Sequence, residues 1–297
     1  MASLKDVKMK ISGVGKTKQI TKAMHMVSSA KLRGAQQRIE RFRPYADKFQ
    51  ELLANLSAGA GAGEHPLLAV RPEPKTCCII LVTSDRGLCG GFNSSLAQKA
   101  LKLAGQKRDE GRKVYFVCIG RKGRDSIRIS GFDFNPDFVR GLTSFTFQAA
   151  CQIGGSVIDG FLEEKLDEVY LVYAKFVSTV RHEPTTLGLL PMKTPESAGG
   201  ATGGGEKPGQ AGLDYLYEPD VETLLAEILP KYLNAQIYRG LLDTSASEHA
   251  ARMAAMDNAT RNCDEIIKNL TLLYNKNRQA SITRELIDIV SGADALK

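Results

Sequence analysis

Residues 242–277 read LDTSASEHAARMAAMDNATRNCDEIIKNLTLLYNKN, and the recurrence of apolar and small residues in this stretch decides the fold. Leu242, Ser245, His249, Met253, Met256, Ala259, Cys263, Ile266, Leu270, Leu273 and Asn277 follow one another by threes and fours that alternate almost without a break. That step is slightly shorter than a straight helical turn, so a helix that keeps the stripe against a partner must supercoil to the left. Small and polar residues on the stripe allow close approach at modest stability.

The partner is at the other end of the chain. Leu4, Val7, Ile11 and Val14 have strict a/d spacing, and Met24, Val27, Ile39, Phe42, Phe49, Leu53 and Leu56 continue a stripe with small drifts in phase. A chain that begins and ends as helix is built like a hairpin, so its ends are expected to wind around each other. Each segment, at roughly 55 residues, would be about 80 Å long, more than a compact domain needs to cover its own core. Pro44 and Pro230 each remove an amide donor and are expected to bend or break their helices locally.

Between the helices, Cys77–Thr83, Val114–Gly120 and Val169–Thr179 are β-branched or aromatic runs separated by helical patterns such as 93–108 and 145–164. This alternation predicts a small α/β domain with a largely parallel sheet, to which 183–192 adds a further strand. The fold class expected is therefore α/β, with a long antiparallel coiled coil of the terminal helices and a small central Rossmann-like domain. Composition shifts set the boundaries: 1–57 a first shaft helix, 58–74 a linker, 75–192 the α/β domain, 193–212 a Gly-rich linker, and 213–297 the returning helix. Both linkers read as mobile, and Pro219 with Asp220 reads as the cap of the returning helix.

Composition narrows the partners. In 297 residues, 43% hydrophobic and 25% charged, no run approaches the length of a membrane span, and the basic start lacks the apolar block of a signal peptide. The six cysteines have no metal-ligand spacing and mostly apolar neighbours, which reads as buried free thiols in a reducing compartment. Residues 1–57 carry a net +8, more than the +7 of the whole chain, so the first helix is the basic element. Its Lys and Arg residues spread along the helix instead of clustering beside a zipper, so an acidic protein surface fits better than DNA.

Chemistry-bearing motifs are sparse. Gly13–Thr17 (GVGKT) resembles the tail of a phosphate-binding loop, but Lys10 stands where that motif needs glycine, and no strand precedes it. Ser84–Asn93 (SDRGLCGGFN) follows a strand and opens a helix, so its amides could cradle an anion; equally, Gly87, Gly90 and Gly91 could serve a tight turn. None of the four histidines has a nucleophile or ligand partner at useful spacing. No catalytic residue, metal or cofactor is expected, and this favours a mechanical role.

Three stretches carry a family resemblance: Ile20–Gln36 (ITKAMHMVSSAKLRGAQ), Ser84–Asn93, and Tyr274–Leu296 (YNKNRQASITRELIDIVSGADAL). They closely resemble the gamma subunits of F-type ATP synthases, in the right order over the whole chain. The resemblance implies a rotor shaft inside a ring of alpha and beta subunits, with the middle domain beside the epsilon subunit and the membrane c-ring. It implies that catalysis belongs to the beta subunits, which the turning shaft drives in sequence through states of different nucleotide affinity. Arg278 and Gln279 match a pair that contacts a beta-subunit loop, and Thr283 and Glu285 match neighbouring coupling positions. Met24 matches the family's methionine on the facing helix, and Lys22, Lys31 and Arg33 match the basic stretch near acidic beta-subunit levers. No nucleic-acid partner is implied, and membrane association comes only through the complex.

Before Ile20 this chain has GVGKTKQ where many relatives carry an Asn-Thr-Gln-Lys-like run. Each glycine costs the helix roughly 1 kcal/mol. The paired cysteines of the redox-regulated chloroplast form are absent from the linker and no transit peptide precedes Ala2, so the expected location is the cytoplasmic face of a bacterial plasma membrane. Two other readings stand beside this one: a nucleotide-binding α/β protein with coiled-coil arms, and a basic coiled-coil tether for nucleic acid.

Overall fold

The computed structural model describes residues 4–59, 65–134, 145–192 and 221–294. Two helices dominate, α1 (Leu4–Gly59) and α5 (Val221–Asp294). Between them lie β1 (Thr76–Val82), α2 (Phe92–Asp109), β2 (Lys113–Ile119), α3 (Arg121–Ile129), β3 (Asp133–Phe134), α4 (Phe147–Leu162), β4 (Glu168–Phe176) and β5 (His182–Leu190). The strands form one sheet in the order β3-β2-β1-β4-β5, parallel except for β5, which runs antiparallel to β4.

The central strand explains why its sequence is apolar throughout. Cys77, Ile79 and Leu81 point to the face covered by α2 and α3, while Cys78, Ile80 and Val82 point to the other, so neither face meets water. On the first face α2 presents Phe92, Leu96, Ala100 and Ala104 at helical spacing. On the second, α4 presents Ala150, Ile153, Val157 and Phe161, and Thr146 Oγ1 caps that helix by accepting the Ala149 amide at 3.3 Å. The Cys77, Cys78 and Cys118 thiols are pushed up to about 12, chiefly by burial, which keeps them protonated and inert at neutral pH. No group of three metal-ligating residues occurs among the described residues, and no helix among them is long and apolar enough to cross a membrane.

Four features differ from the sequence reading. Leu225, Leu229, Leu233, Ile237 and Leu241 of α5 pack in the same core as α4 and the sheet, together with Leu53 of α1. The chain accordingly divides into one compact unit of Met1–Ala30 with Arg252–Lys297 and another of Lys31–Ala251, and not at the ends of the α/β pattern. Both helices run on through their prolines. The carbonyls that lose a donor belong to Glu40 and Ala226, both exposed, where water can replace the missing bond. The elements α3 and β3 had no counterpart in the predicted pattern.

The fourth difference concerns the first linker. Its described part, 65–74, is held in place: Leu67 is buried in a single 3-10 turn, Pro66–Leu68, and Arg71 bonds the Phe161 carbonyl at 2.8 Å and pairs with Asp167. Asp167 also accepts from the Lys75 and Thr76 amides, each at 2.8 Å. Burial pushes this carboxyl up, but Arg71 and the two amides outweigh it and bring it down to about 2. A depressed carboxyl stabilises the fold above its ordinary value and loses that stabilisation as pH falls through its folded value. Asp167→Asn is therefore expected to cost about 2 kcal/mol at pH 7. The difference from the parent should vanish in urea titrations as the pH approaches 2. The second linker, 193–212, and the Pro219–Asp220 cap lie outside the described residues.

Candidate partner-contact surface on the paired helices

Within the unit of residues 1–30 and 252–297, the two helices run antiparallel. Thr21 and Thr260 hydroxyls lie 2.8 Å apart, and Lys18 Nζ meets Asp264 Oδ1 at 2.5 Å. One hydroxyl donates across to the other, which in turn donates to a carbonyl of its own helix, Lys18 at 3.0 Å from Thr21 or Met256 at 2.8 Å from Thr260, so the crossing is polar yet satisfied. The ion pair is half-exposed and contributes a fraction of a kcal/mol. Register is what these contacts supply.

Burial along α1 steps without a break through Leu4, Val7, Ile11, Val14, Lys18, Thr21, His25, Ser28, Leu32 and Ala35. The phase drifts read from sequence are absent because polar residues hold the seam where apolar ones are missing. Val27, placed on the stripe from sequence, is 56% exposed, and Ser28 takes its place at 3%. In α5 the seam moves one residue on from Ile266 and Leu273, which are exposed, to Ile267 and Tyr274. Gly13 and Gly15 are helical and nothing lies within 4 Å of where a Cβ would be, so packing does not require glycine at either. GVGKT is therefore a stretch of helix and has no phosphate-binding turn; Thr17 Oγ1 donates to the Gly13 carbonyl at 3.2 Å.

The same register sets Leu4 opposite Asn277, so α5 from about residue 281 onward lies past the described start of α1. Along this stretch Ile282, Leu286, Ile287, Ile289 and Val290 are exposed, Ile289 at 68%. Arg278, Gln279, Thr283 and Glu285 are exposed here too, with Thr283 donating to the Gln279 carbonyl at 2.9 Å and Ser281 donating to Glu285 at 3.2 Å. On α1, Lys22 is exposed and Met24 half-buried, opposite α5 near residue 259. At 1.5 Å per residue this level is about 28 Å along the axis from Arg278, so the candidate residues of this unit form two separate groups. Lys31 and Arg33 are exposed on α1 in the other unit.

The glycine-rich candidate, Ser84–Asn93, is a tight strand-to-helix turn. Leu88 and Gly90 take positive φ of 63° and 59°. Asn93 Oδ1 accepts the Ser84 amide at 3.1 Å and the Ser84 hydroxyl lies 3.0 Å away, while Asn93 Nδ2 donates to Cys89 Sγ at 3.2 Å. Ser84, Cys89 and Asn93 thus bond one another, and Asp85 Oδ1 accepts the Arg121 amide at 3.0 Å.

A polar cluster in α5 escaped the sequence reading. From Gly240 through Glu248 every residue is buried, including Asp243, Thr244, Ser245 and Ser247. Thr244 Oγ1 accepts the Ala174 amide at 3.2 Å, and Ser247 Oγ donates to the Ala174 carbonyl at 3.3 Å. The pairing of β4 with β1 ends at Val172, and opposite Ala174 on β5 stands Pro184, which has no N–H. The helix hydroxyls thus take both backbone groups of a strand residue that lies beyond the end of its pairing with β1. Burial pushes the Asp243 carboxyl up to about 6, against the pull of the Arg239, Lys175 and Arg43 charges. The available signal was four polar residues in five where a helix packed on a sheet should be apolar.

Similarity to known proteins defines the class of this chain. The family model described as ATP synthase matches residues 3–296, so the chain is an ATP synthase component. It is 60% identical over its full length, and the full length of the relative, to the ATP synthase gamma chain of Nitratidesulfovibrio vulgaris, and 56% identical, again end to end, to that of Lawsonia intracellularis. The chain belongs to the ATP synthase gamma-chain family. Its fold is shared with chains in the Euglena gracilis mitochondrial ATP synthase, with a TM-score of 0.63 at 19% identity over 99% of this chain and 94% of that one. The Tetrahymena thermophila central stalk and c-ring structure gives 0.56 at 24% over 81% and 99%.

Proposed function

We propose that this chain is the central rotor shaft of a bacterial F-type ATP synthase. Standing within the ring of alpha and beta subunits, it couples ion-driven rotation of the c-ring to successive conformations of the beta subunits. The chain performs no chemistry itself; the catalytic sites are on the beta subunits. It lies at the cytoplasmic face of the membrane through its partners, which include epsilon and the c-ring. The observation that carries this reading is the antiparallel helix pair in which α5, past the described start of α1, exposes Ile282, Leu286, Ile287, Ile289 and Val290. That pair occurs in a chain identical at 60% of positions to a gamma chain. Supporting it, the Tetrahymena structure is described as a central stalk and c-ring, and the Euglena one as containing F1 and c-ring.

In this reading Arg278, Gln279, Thr283 and Glu285 are the upper contacts with beta, Met24 is a contact on the facing helix, and Lys22, Lys31 and Arg33 each lie near acidic levers of beta. Arg278→Ala with Gln279→Ala removes two exposed hydrogen-bonding groups and leaves the α/β core intact. Turnover of the assembled enzyme is expected to fall about tenfold, the equivalent of one charge-assisted hydrogen bond lost at the rate-limiting step. Assembly should be unchanged. Parental turnover in the assembled double variant would remove these residues from the contact.

A further inference from the structure

We propose that Thr244 and Ser247, which take both backbone groups of Ala174, form the joint that carries torsional load between helix α5 and the sheet. The inference rests on the rotor reading and names residues for one step of it.

A helix packed on a sheet through apolar side chains is held mainly by non-directional burial, which resists separation better than rotation about the helix axis. Through Leu225, Leu229, Leu233, Ile237 and Leu241 the contact of α5 is of that kind. From Gly240 it changes. At Gly240 a Cβ would come within 2.7 Å of Leu171 Cδ2, so the helix lies tightly against the strand's side chains here. Immediately afterwards the helix is enclosed on all sides through Glu248. Within the enclosed stretch two hydroxyls, one accepting and one donating, grip a single strand residue. Hydrogen bonds weaken steeply with angle, so a pair to one residue fixes rotation of the helix where packing alone does not. Beside Ala174 the pairing with β1 has ended, and Pro184 offers no donor to its carbonyl. Serine and threonine favour neither a helix interior nor an apolar core, and leucine or alanine would pack there with better propensity.

The test uses the complex of this chain with alpha and beta subunits, with Lys102→Cys on exposed α2 carrying a bead. Torque at the bead and ATP hydrolysis are measured for the parent, for Thr244→Val with Ser247→Ala, and for Thr244→Ser. The double variant is expected to hydrolyse ATP within about twofold of the parent while its torque at the bead drops by about half or more, because the catalytic ring is untouched and only the grip is lost. Thr244→Ser keeps the hydroxyl and should keep the torque. Ser247→Ala alone should give an intermediate torque, and serves where the double variant does not assemble. Parental torque in an assembled variant lacking either hydroxyl would overturn the inference, as would hydrolysis and torque falling in proportion. A parent complex that hydrolyses ATP without turning the bead would instead overturn the rotor reading, and the joint with it.

Discussion

Gly120→Ala is expected to destabilise the α/β core by about 3–5 kcal/mol, summing a glycine-only backbone conformation with overpacking against atoms that cannot move. Gly120 ends β2 with φ 101° and ψ 138°, a region closed to other residues. A Cβ there would overlap the Thr83 carbonyl, with the carbonyl carbon 2.7 Å away. Thr83 cannot yield, because its amide bonds the Ile119 carbonyl at 2.8 Å and its hydroxyl accepts the Gly123 amide at 2.8 Å. The loss is comparable to a large part of an ordinary domain's stability. Hydrogen exchange at β1 and β2 amides checks it: protection there should fall by two orders of magnitude or more, by the same energies. Parental protection would mean that the turn relaxes freely.

The second large effect has the opposite sign. Asp243→Asn should stabilise the core by up to about 3 kcal/mol at pH 7.5, from a displacement of about two units at 1.36 kcal/mol each. The carboxyl titrates near 6 in the folded chain against an ordinary 3.8, so burial opposes the ionised form. Above pH 6 both folded and unfolded forms are ionised and the penalty is full. Between 6 and 4 the folded chain binds a proton that the unfolded chain does not, so stability rises as pH falls. Below about 4 both are protonated and the penalty is gone. Urea titrations should show that rise in the parent and its absence in Asp243→Asn, with the two curves meeting near pH 4. A variant less stable than the parent at pH 7.5 would mean that the Arg43, Lys175 and Arg239 charges outweigh burial.

The stretch that opened the sequence reading identified the helix pair because 3.5-residue recurrence survives polar substitution. Its errors came from taking apolar residues alone as the stripe. Val27, Ile266 and Leu273 are apolar but lie beside the seam, whereas Ser28, Ile267 and Tyr274 lie on it. A strict heptad count from Val7 through Thr21 would have placed Ser28, and one from Thr260 would have placed Ile267 and Tyr274. The sheet was legible because β1, β2 and β4 are buried on both faces and so read as unbroken β-branched runs.

Helix α3 was not, since Arg121, Lys122, Arg124 and Arg128 leave only Gly123 and Ile127 to bury, too few for a periodic signal. The boundary between helix pair and α/β core was invisible for a different reason. In α5 the stripe that packs on the sheet gives way to the seam within one uninterrupted helix, and composition does not change at the handover. Of the candidate site, exposure of Arg278, Gln279, Thr283 and Glu285 followed from their polar side chains. The Thr244 and Ser247 contacts with Ala174 depend on where a strand ladder stops, which no local pattern encodes.

The most direct test of the rotor account is to mix the chain with bacterial F-type alpha and beta subunits, separate the mixture by size, and assay ATP hydrolysis in the pooled peak. The account predicts one large complex holding a single copy of this chain, with hydrolysis above that of alpha and beta alone. A well-folded chain that elutes apart from alpha and beta and leaves their activity unchanged would contradict it.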